Sequence, residues 1–381
     1  MTHEYDYAVI GGGLSGLLIA TALSQETERV VLLDGQEHIG GFNRTISFPT
    51  GNVENGIRFV PATDAAQSSL RFLENLLGIQ VVKSIQEVPP ITYEGGQLKT
   101  FLSFGDVTPP FFDEMVYFTN STRCELNLQP SAWVQLLIEK FRGQVMTLSF
   151  ATRFQIANNQ VQSLTLNGSK TLQAKNFIFC GSVKQLQTLL PPESLSARIR
   201  QKLSKSTYWT ALCLDLCHAQ PVTESTAIHV LNGTTQDEFG PCLGHFLPQS
   251  SSQSLPQSLP HSSMQASQWM TFIEGELSEE SESVANALKK IKRQIKRAYP
   301  ESLENLVTER ILVVPQISGS GDLKLKGNLT LPEVDNLWIG SPTLSPQKNL
   351  VGALSQAQMV LAALGCLVSE TEIPLEQPHC V

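Results

Sequence analysis

The feature that most constrains this chain lies at its N-terminus. Tyr5 to Ile10 (YDYAVI) reads as a short buried strand, and Val30 to Leu33 (VVLL) as a second one ending at Asp34. Between them stand a glycine-rich turn, Gly11-Gly12-Gly13-Leu14-Ser15-Gly16, and an apolar stretch, Leu17 to Ser24, with the character of a helix packed on a sheet. A strand, a helix and a strand within about thirty residues make a right-handed β-α-β crossover, which requires a parallel sheet.

The turn has the spacing G-x-G-x-x-G. In that pattern Gly11 allows the tight turn, Gly13 lets a pyrophosphate approach the backbone, and Gly16 lets the helix pack close to the strand. The unpaired N–H groups around Leu14, Ser15 and Gly16, at the positive end of the helix dipole, face the phosphates. Asp34 stands where a carboxylate accepts hydrogen bonds from both ribose hydroxyls of an adenosine and repels a 2′-phosphate.

Composition narrows the partners. The 381 residues carry 27 Lys and Arg against 35 Asp and Glu, a net charge of −8. That balance argues against nucleic acid, whose phosphates need a concentrated basic surface. No apolar run approaches the roughly 18–20 residues of a membrane span. Acidic Glu4 and Asp6 precede the first apolar stretch, where a signal peptide carries positive charge. The expected partner is a small-molecule substrate, with no nucleic acid and no transmembrane segment. The seven cysteines are odd in number and lack C-x-x-C spacing, which suits reduced thiols in a cytoplasmic protein. No Cys/His cluster has the spacing of a zinc site.

Further along, residues 65–77 have helical apolar spacing and stop at Gly78, and residues 130–141 open a helix with Pro130 and Ser131. From 144 to 166 the segments VMTLSF, TRFQIA and VQSLTL alternate around Asn158-Asn159, which predicts an antiparallel meander. From about Thr207 the strands TYWTALCLDLC, STAIHVL, CLGHFL and WMTFIEG point to a different layer. A Ser/Gln/Pro run at 249–268 reads as a surface loop, and 277–298 as a charged amphipathic helix with a solvated basic face. Asn336 to Gly340 is a further strand, and Leu350 to Leu364 a helix.

Two more segments carry chemistry. After Asp34 come Gly35, then Gly40-Gly41-Phe42-Asn43-Arg44-Thr45, and paired glycines let successive backbone N–H groups point at one anion. Asn336-Leu337-Trp338-Ile339-Gly340-Ser341 is followed by Asn349-Leu350-Val351-Gly352-Ala353-Leu354. Together with Asn55-Gly56-Ile57-Arg58-Phe59, these segments resemble the flavin-dependent amine oxidase superfamily. That group includes amine oxidases, protoporphyrinogen oxidase, phytoene desaturases and UDP-galactopyranose mutase.

The resemblance implies non-covalent FAD. It places Gly40, Gly41 and a nearby Arg along the pyrophosphate, with Phe42 where the family has Arg and Arg44 as a substitute. It puts Arg58 or Phe59 near the isoalloxazine ring. Gly340 and Ser341 match the family's Gly-Asp, with Ser in place of Asp. Leu350, Val351 and Gly352 match the helix start that faces the flavin N1/O2 edge, with Gln356 where the family often has Gly.

The implied fold is α/β: a Rossmann-like FAD-binding domain with a parallel sheet and a small antiparallel meander, plus an inserted α+β substrate domain. The expected segments of the FAD domain are 1–80, 131–206 and 331–370. The substrate domain takes 81–130 and 207–330, and 371–381 forms a tail. The implied activity is FAD-dependent hydride abstraction from a C–N or C–C bond. Two alternatives stay open: a non-redox flavin enzyme of the mutase type, using Arg58, Arg123 and Arg153 for a diphosphate, and a non-catalytic FAD-binding scaffold. Lys324 and Lys326 are the lysines that precede the final flavin segment. Phe150, Phe154, Tyr208, Trp209, Phe246 and Trp269 are candidates for the substrate side. No catalytic residue is assigned.

Overall fold

The parallel sheet that the N-terminal crossover requires has five strands. In spatial order they are Leu337–Ile339, Ala174–Phe179, Tyr5–Ile10, Val30–Leu33 and Gln144–Met146, all mutually parallel. The structure is a computed structural model describing residues 4–106, 108–205, 207–233, 240–248, 264–320 and 329–366.

Successive side chains of a strand point to opposite faces. Val9, Leu32 and Ile178 therefore meet the helices Leu14–Leu23, Pro130–Lys140 and Asn349–Ala363 on one face. Ala8, Ile10, Val31 and Phe177 meet a meander of Ala151–Ala157, Gln160–Leu166 and Lys170–Leu172 on the other. The helix Leu14–Leu23 is buried along its whole length and has no polar face, as suits a helix enclosed between a sheet and other helices. One of its packing partners is the last helix, Asn349–Ala363, so the two ends of the chain complete one layer.

A second sheet has seven strands, in the order Leu306–Ser320, Thr207–His218, Gln265–Glu274, Cys242–Phe246, His229–Leu231, Ile91–Glu94 and Gln97–Thr100. One face carries Ala211, Cys213, Met270 and Phe272 into the core shared with the first layer. The other buries Leu214, Leu216 and Trp269 under the helix Ser281–Ala298. The architecture is thus a Rossmann-like parallel sheet with small antiparallel sheets and an inserted α+β unit.

Several local expectations need correction. The first helix begins at Leu14, directly after the second glycine of the motif, and not at Leu17. Gln144–Met146 does not belong to the meander; it is the edge strand of the parallel sheet, in register with Val31 to Leu33. Leu148, at φ 50°, breaks the run between the two sheets. The Ser/Gln/Pro run is not a loop to its end. Residues 249–263 lie outside the described residues, but Gln265 to Gln268 already belong to a buried strand. Their polar groups are paired there: Gln265 accepts from Val222 N–H at 2.8 Å and donates to the Thr223 carbonyl at 2.7 Å. The charged helix starts at Ser281, after a separate turn at Leu277–Glu279.

Periodicity assigns no element to Leu306–Ser320, which is the long outer strand of the second sheet. Glu309, Arg310 and Pro315 interrupt its apolar pattern. Proline lacks a donor, and an edge strand tolerates that loss.

Candidate cofactor and substrate site

The glycine turn is shaped by close contact. A Cβ at Gly16 would lie 1.9 Å from the Gly11 carbonyl oxygen, so only glycine fits where helix and turn meet. A Cβ at Gly13 would meet nothing within 4 Å. Gly13 is the N-cap of the helix and no side chain caps it, so backbone N–H groups of the first turn face this open space.

The second glycine segment docks on the first. Gly40 N–H donates to the Gly12 carbonyl at 2.7 Å, and Gly13 and Gly40 are β-bridge partners. Gly40 and Gly41 adopt φ of +108° and +61°, in the region that favours glycine. A Cβ at Gly41 would sit 3.4 Å from Gly13 Cα. The two segments therefore form one backbone-lined cradle, which fits a pyrophosphate held by N–H groups and a helix dipole.

Asp34 stands at the rim of this cradle. Its Oδ2 accepts from Gly12 N–H and its Oδ1 from Gln36 N–H, both at 2.6 Å. Each oxygen keeps further accepting capacity for a ribose hydroxyl. Gly35 lies against the exposed ring of Phe150, where a Cβ would come within 2.8 Å of the ring. Ser15 donates its hydroxyl to the Gly340 carbonyl at 2.8 Å, tying the first helix to the last strand.

The residues flanking the cradle differ in their surroundings. Phe42 is 45% exposed and Arg44 is exposed. Arg58 is mostly buried and braces the loop: its Nη2 donates to the carbonyls of Phe42 and Asn55, and its Nε lies 3.8 Å from Glu54 Oε2. Burial lowers the Arg58 pKa and raises that of Glu54. Ser341 is fully buried, and its hydroxyl pairs with Thr343 at 2.8 Å. Gln356 donates to the Ile339 carbonyl at 2.8 Å, so its side chain closes the space under the last strand.

Phe42, which follows Gly41 in the chain, also lines a cavity of about 250 Å³. One wall is the segment Asn55–Phe59 together with Asn349, Leu350 and Ala353 at the start of the last helix. That helix has no side-chain cap. Val351 is fully buried, and a Cβ at Gly352 would lie 2.4 Å from the Gln347 carbonyl oxygen.

The facing wall is the second sheet. Its register sets adjacent residues in rows: Phe272, Ala211 and Val314; then Met270, Cys213 and Leu312; then Gln268, Asp215 and Arg310. The first two rows are apolar. The third closes one end with a buried network. Arg310 pairs with Asp215 at 2.8 Å and donates to Asn55 Oδ1 at 2.8 Å, while Gln268 donates to the Glu54 carbonyl at 2.8 Å. Burial raises the Asp215 pKa against the opposing pull of Arg310. It also pushes the Cys213 thiol up to about 12.

Sequence reasoning missed this wall, because it is set by strand register across three distant segments. The six aromatics expected on the substrate side lie elsewhere. Phe154 and Tyr208 pack in the meander core, Phe246 and Trp269 under the charged helix, and Trp209 edge-on to Phe111 at 5.6 Å. Phe150 stands by Gly35, and the aromatics of the cavity are Phe42, Phe59 and Phe118. The three candidate diphosphate arginines are dispersed. Arg58 braces the loop, Arg123 donates to the Thr226 carbonyl at 3.0 Å, and Arg153 faces Glu193 on the exposed meander. Lys324, Lys326 and Cys380 lie outside the described residues. Among the described residues, no group of three or more His, Cys, Asp or Glu could hold a metal ion, no helix is long and apolar enough to cross a membrane, and six cysteines are free.

Comparison with known proteins agrees with this fold. Residues 9–76 match the family described as NAD(P)-binding Rossmann-like domain. No curated protein matches the chain. Among solved structures, the chain is similar to an oxidoreductase from Methanosarcina mazei, at 13% identity and a TM-score of 0.69, over 93% of this chain and 99% of that one. A protein from Pyrococcus furiosus is similar at 12% identity and a TM-score of 0.66, over 94% and 97% of the two chains. Cyclohexylamine oxidase from Brevibacterium oxydans is similar at 10% identity and a TM-score of 0.65, over 95% and 98%. At such identities these likenesses show the fold.

Proposed function

We propose that the chain is an FAD-dependent oxidoreductase that abstracts a hydride at a C–N or C–C bond of a small organic substrate, with FAD held non-covalently. One observation carries this reading: Phe42, beside the glycine cradle, lines a cavity that the uncapped start of the last helix also lines. That arrangement suits a dinucleotide. Gly13 and Gly41 would hold the pyrophosphate and Asp34 the ribose, and Asn55–Phe59 with Asn349, Leu350 and Ala353 would line the space for the flavin ring. The residues 1–80, 131–206 and 331–370 serve as the cofactor domain, and 81–130 with 207–330 as the substrate domain.

When bound, FAD supplies the two-electron acceptor for the hydride. The chain's own residues orient and enclose. The uncapped helix start would favour the negative charge of a reduced flavin held beside it. The apolar sheet wall keeps water from the reacting face.

The test is the visible spectrum of the purified protein after FAD is added, followed by anaerobic exposure to amines, polyenes and tetrapyrroles. Binding, and bleaching by at least one substrate class, is the expected result. Reduction by NAD(P)H alone, without bleaching by any organic substrate, would overturn hydride abstraction from substrate in favour of non-redox flavin chemistry.

A further inference from the structure

We propose that Tyr117 is a positioning residue for the flavin edge: its buried hydroxyl ties the segment Asn55–Phe59 to the start of the last helix and sets the gap between them. This rests on the reading that the flavin ring lies between those two elements. The hydroxyl donates to the Phe59 carbonyl at 2.6 Å inside the core. The ring packs edge-on to Phe59 and Phe118, with centroids 6.0 and 5.0 Å away. Burial raises the Tyr117 pKa, against the pull of the Val351 backbone N–H that faces the same oxygen. The hydroxyl therefore stays protonated at neutral pH, and one group meets both elements.

The last helix explains why a hydroxyl belongs there. Its first intrahelical bond runs from Gly352 N–H to the Lys348 carbonyl at 3.0 Å, so the N–H groups of Asn349, Leu350 and Val351 have no carbonyl partner within the helix. The cap residue, Lys348, has no side-chain oxygen to offer. Asn349 and Leu350 line the cavity, whereas Val351 is fully buried. Tyr117 thus answers the N–H of the buried residue and leaves those of the two cavity residues for a ligand's negative edge. The segment that carries Tyr117 is itself anchored on both sides. Before it, in the short helix Phe112–Val116, buried Glu114 lies 3.5 Å from Lys348 Nζ. After it, Cys124 N–H donates to the Val60 carbonyl at 2.9 Å, and Ala62 N–H to the Thr122 carbonyl at 3.0 Å. Fixed N–H dipoles stabilise a developing negative charge better than mobile ones, because they need no reorganisation. Loss of the hydroxyl should therefore cost a reduced flavin more than an oxidised one.

The experiment compares FAD-loaded native protein with Tyr117→Phe, and with Tyr5→Phe as a control. Tyr5 also donates its hydroxyl, to Gln144 Oε1, but at the end of the first strand remote from the glycine turn. Tyr117→Phe should bind reduced FAD about threefold more weakly relative to oxidised FAD, which lowers the two-electron midpoint potential by about 14 mV. Tyr5→Phe should leave the potential where it is. Amide hydrogen exchange read by mass spectrometry gives a second measurement. In Tyr117→Phe the N–H groups at the start of the last helix should exchange about three- to tenfold faster. Glu114→Gln, which weakens the hold on Lys348, should speed the same amides. An unchanged or raised potential in Tyr117→Phe, or exchange at the helix start unchanged in both variants, would overturn the proposal. Its failure is separable from that of the cofactor reading. A yellow protein whose potential and exchange ignore Tyr117 refutes the positioning role alone. A colourless protein that takes up no FAD, yet whose helix start exchanges faster in Tyr117→Phe, refutes the cofactor alone.

Discussion

Gly16 carries the severest steric demand among the described glycines, because the group its Cβ would strike, the Gly11 carbonyl, is backbone on both sides. Gly16→Ala must push the helix off the turn, an overpacking cost of at least about 1–3 kcal/mol. Urea unfolding should show that loss, and FAD affinity should fall with it, since the cradle is built on the same turn. Unchanged stability would mean that helix and turn do not meet as described. Asp34 makes a different kind of prediction. Its two oxygens hold the N–H groups of Gly12 and Gln36 and are proposed to take the ribose. Asp34→Ala should abolish FAD binding while circular dichroism still reports a folded chain, with a stability cost up to about 1–3 kcal/mol for the two N–H groups it leaves. A variant that keeps its FAD would refute the role of Asp34. The glycine pattern and Asp34 were legible in the sequence because each is local: neighbouring residues alone dictate the turn. The brace formed by Arg58 was not legible, because its acceptors depend on how the Gly-Gly loop folds back.

Elements extend the same lesson. The strand–helix–strand start, the helix capped by Gly78 and the hairpin at Asn158-Asn159 could be read from local signals: an apolar run, a left-handed C-cap, and two consecutive residues at positive φ. The strand Leu306–Ser320 could not. Its Arg310 and Glu309 look like a solvated stretch until the partner strand supplies Asp215. Asp215 is only 2% exposed, so the Arg310 pair is what allows its charge in the core. Arg310→Met should therefore destabilise the protein by about 3–5 kcal/mol, since it strands a buried carboxylate. The double variant Arg310→Met with Asp215→Leu should be much less harmful than the two single losses added together. A double-mutant cycle on urea midpoints measures this. Strict additivity would contradict the pairing.

At the scale of the whole molecule, the chain closes on itself, since its first and last helices share one layer. The second sheet carries a pH dependence of its own. His229 lies among Phe246, Trp269 and Tyr299; it is held neutral with Nδ1 donating to the Ala227 carbonyl at 3.0 Å and Nε2 accepting from Tyr299 at 2.7 Å. Burial pushes His229 and His245 down to about 4 and lowers His218 as well. An unfolded histidine titrates near 6.5, so between pH of about 6.5 and 4 the unfolded chain binds more protons. Stability should be complete above that window and fall on acidification within it, by up to about 1.4 kcal/mol per pH unit for each histidine. Glu54 and Asp215, raised by burial, act in the opposite sense. The comparison with His229→Gln isolates one histidine, and its acid slope should be smaller by about that amount. Equal slopes would contradict a neutral, buried His229. The central claim is that the cradle and the cavity together hold one dinucleotide flavin. The most direct measurement is the amount of FAD released per chain on denaturing protein that was saturated with FAD and then freed of unbound cofactor. The account predicts about one equivalent for the native sequence and none for Asp34→Ala; a chain that retains no FAD at all would contradict it.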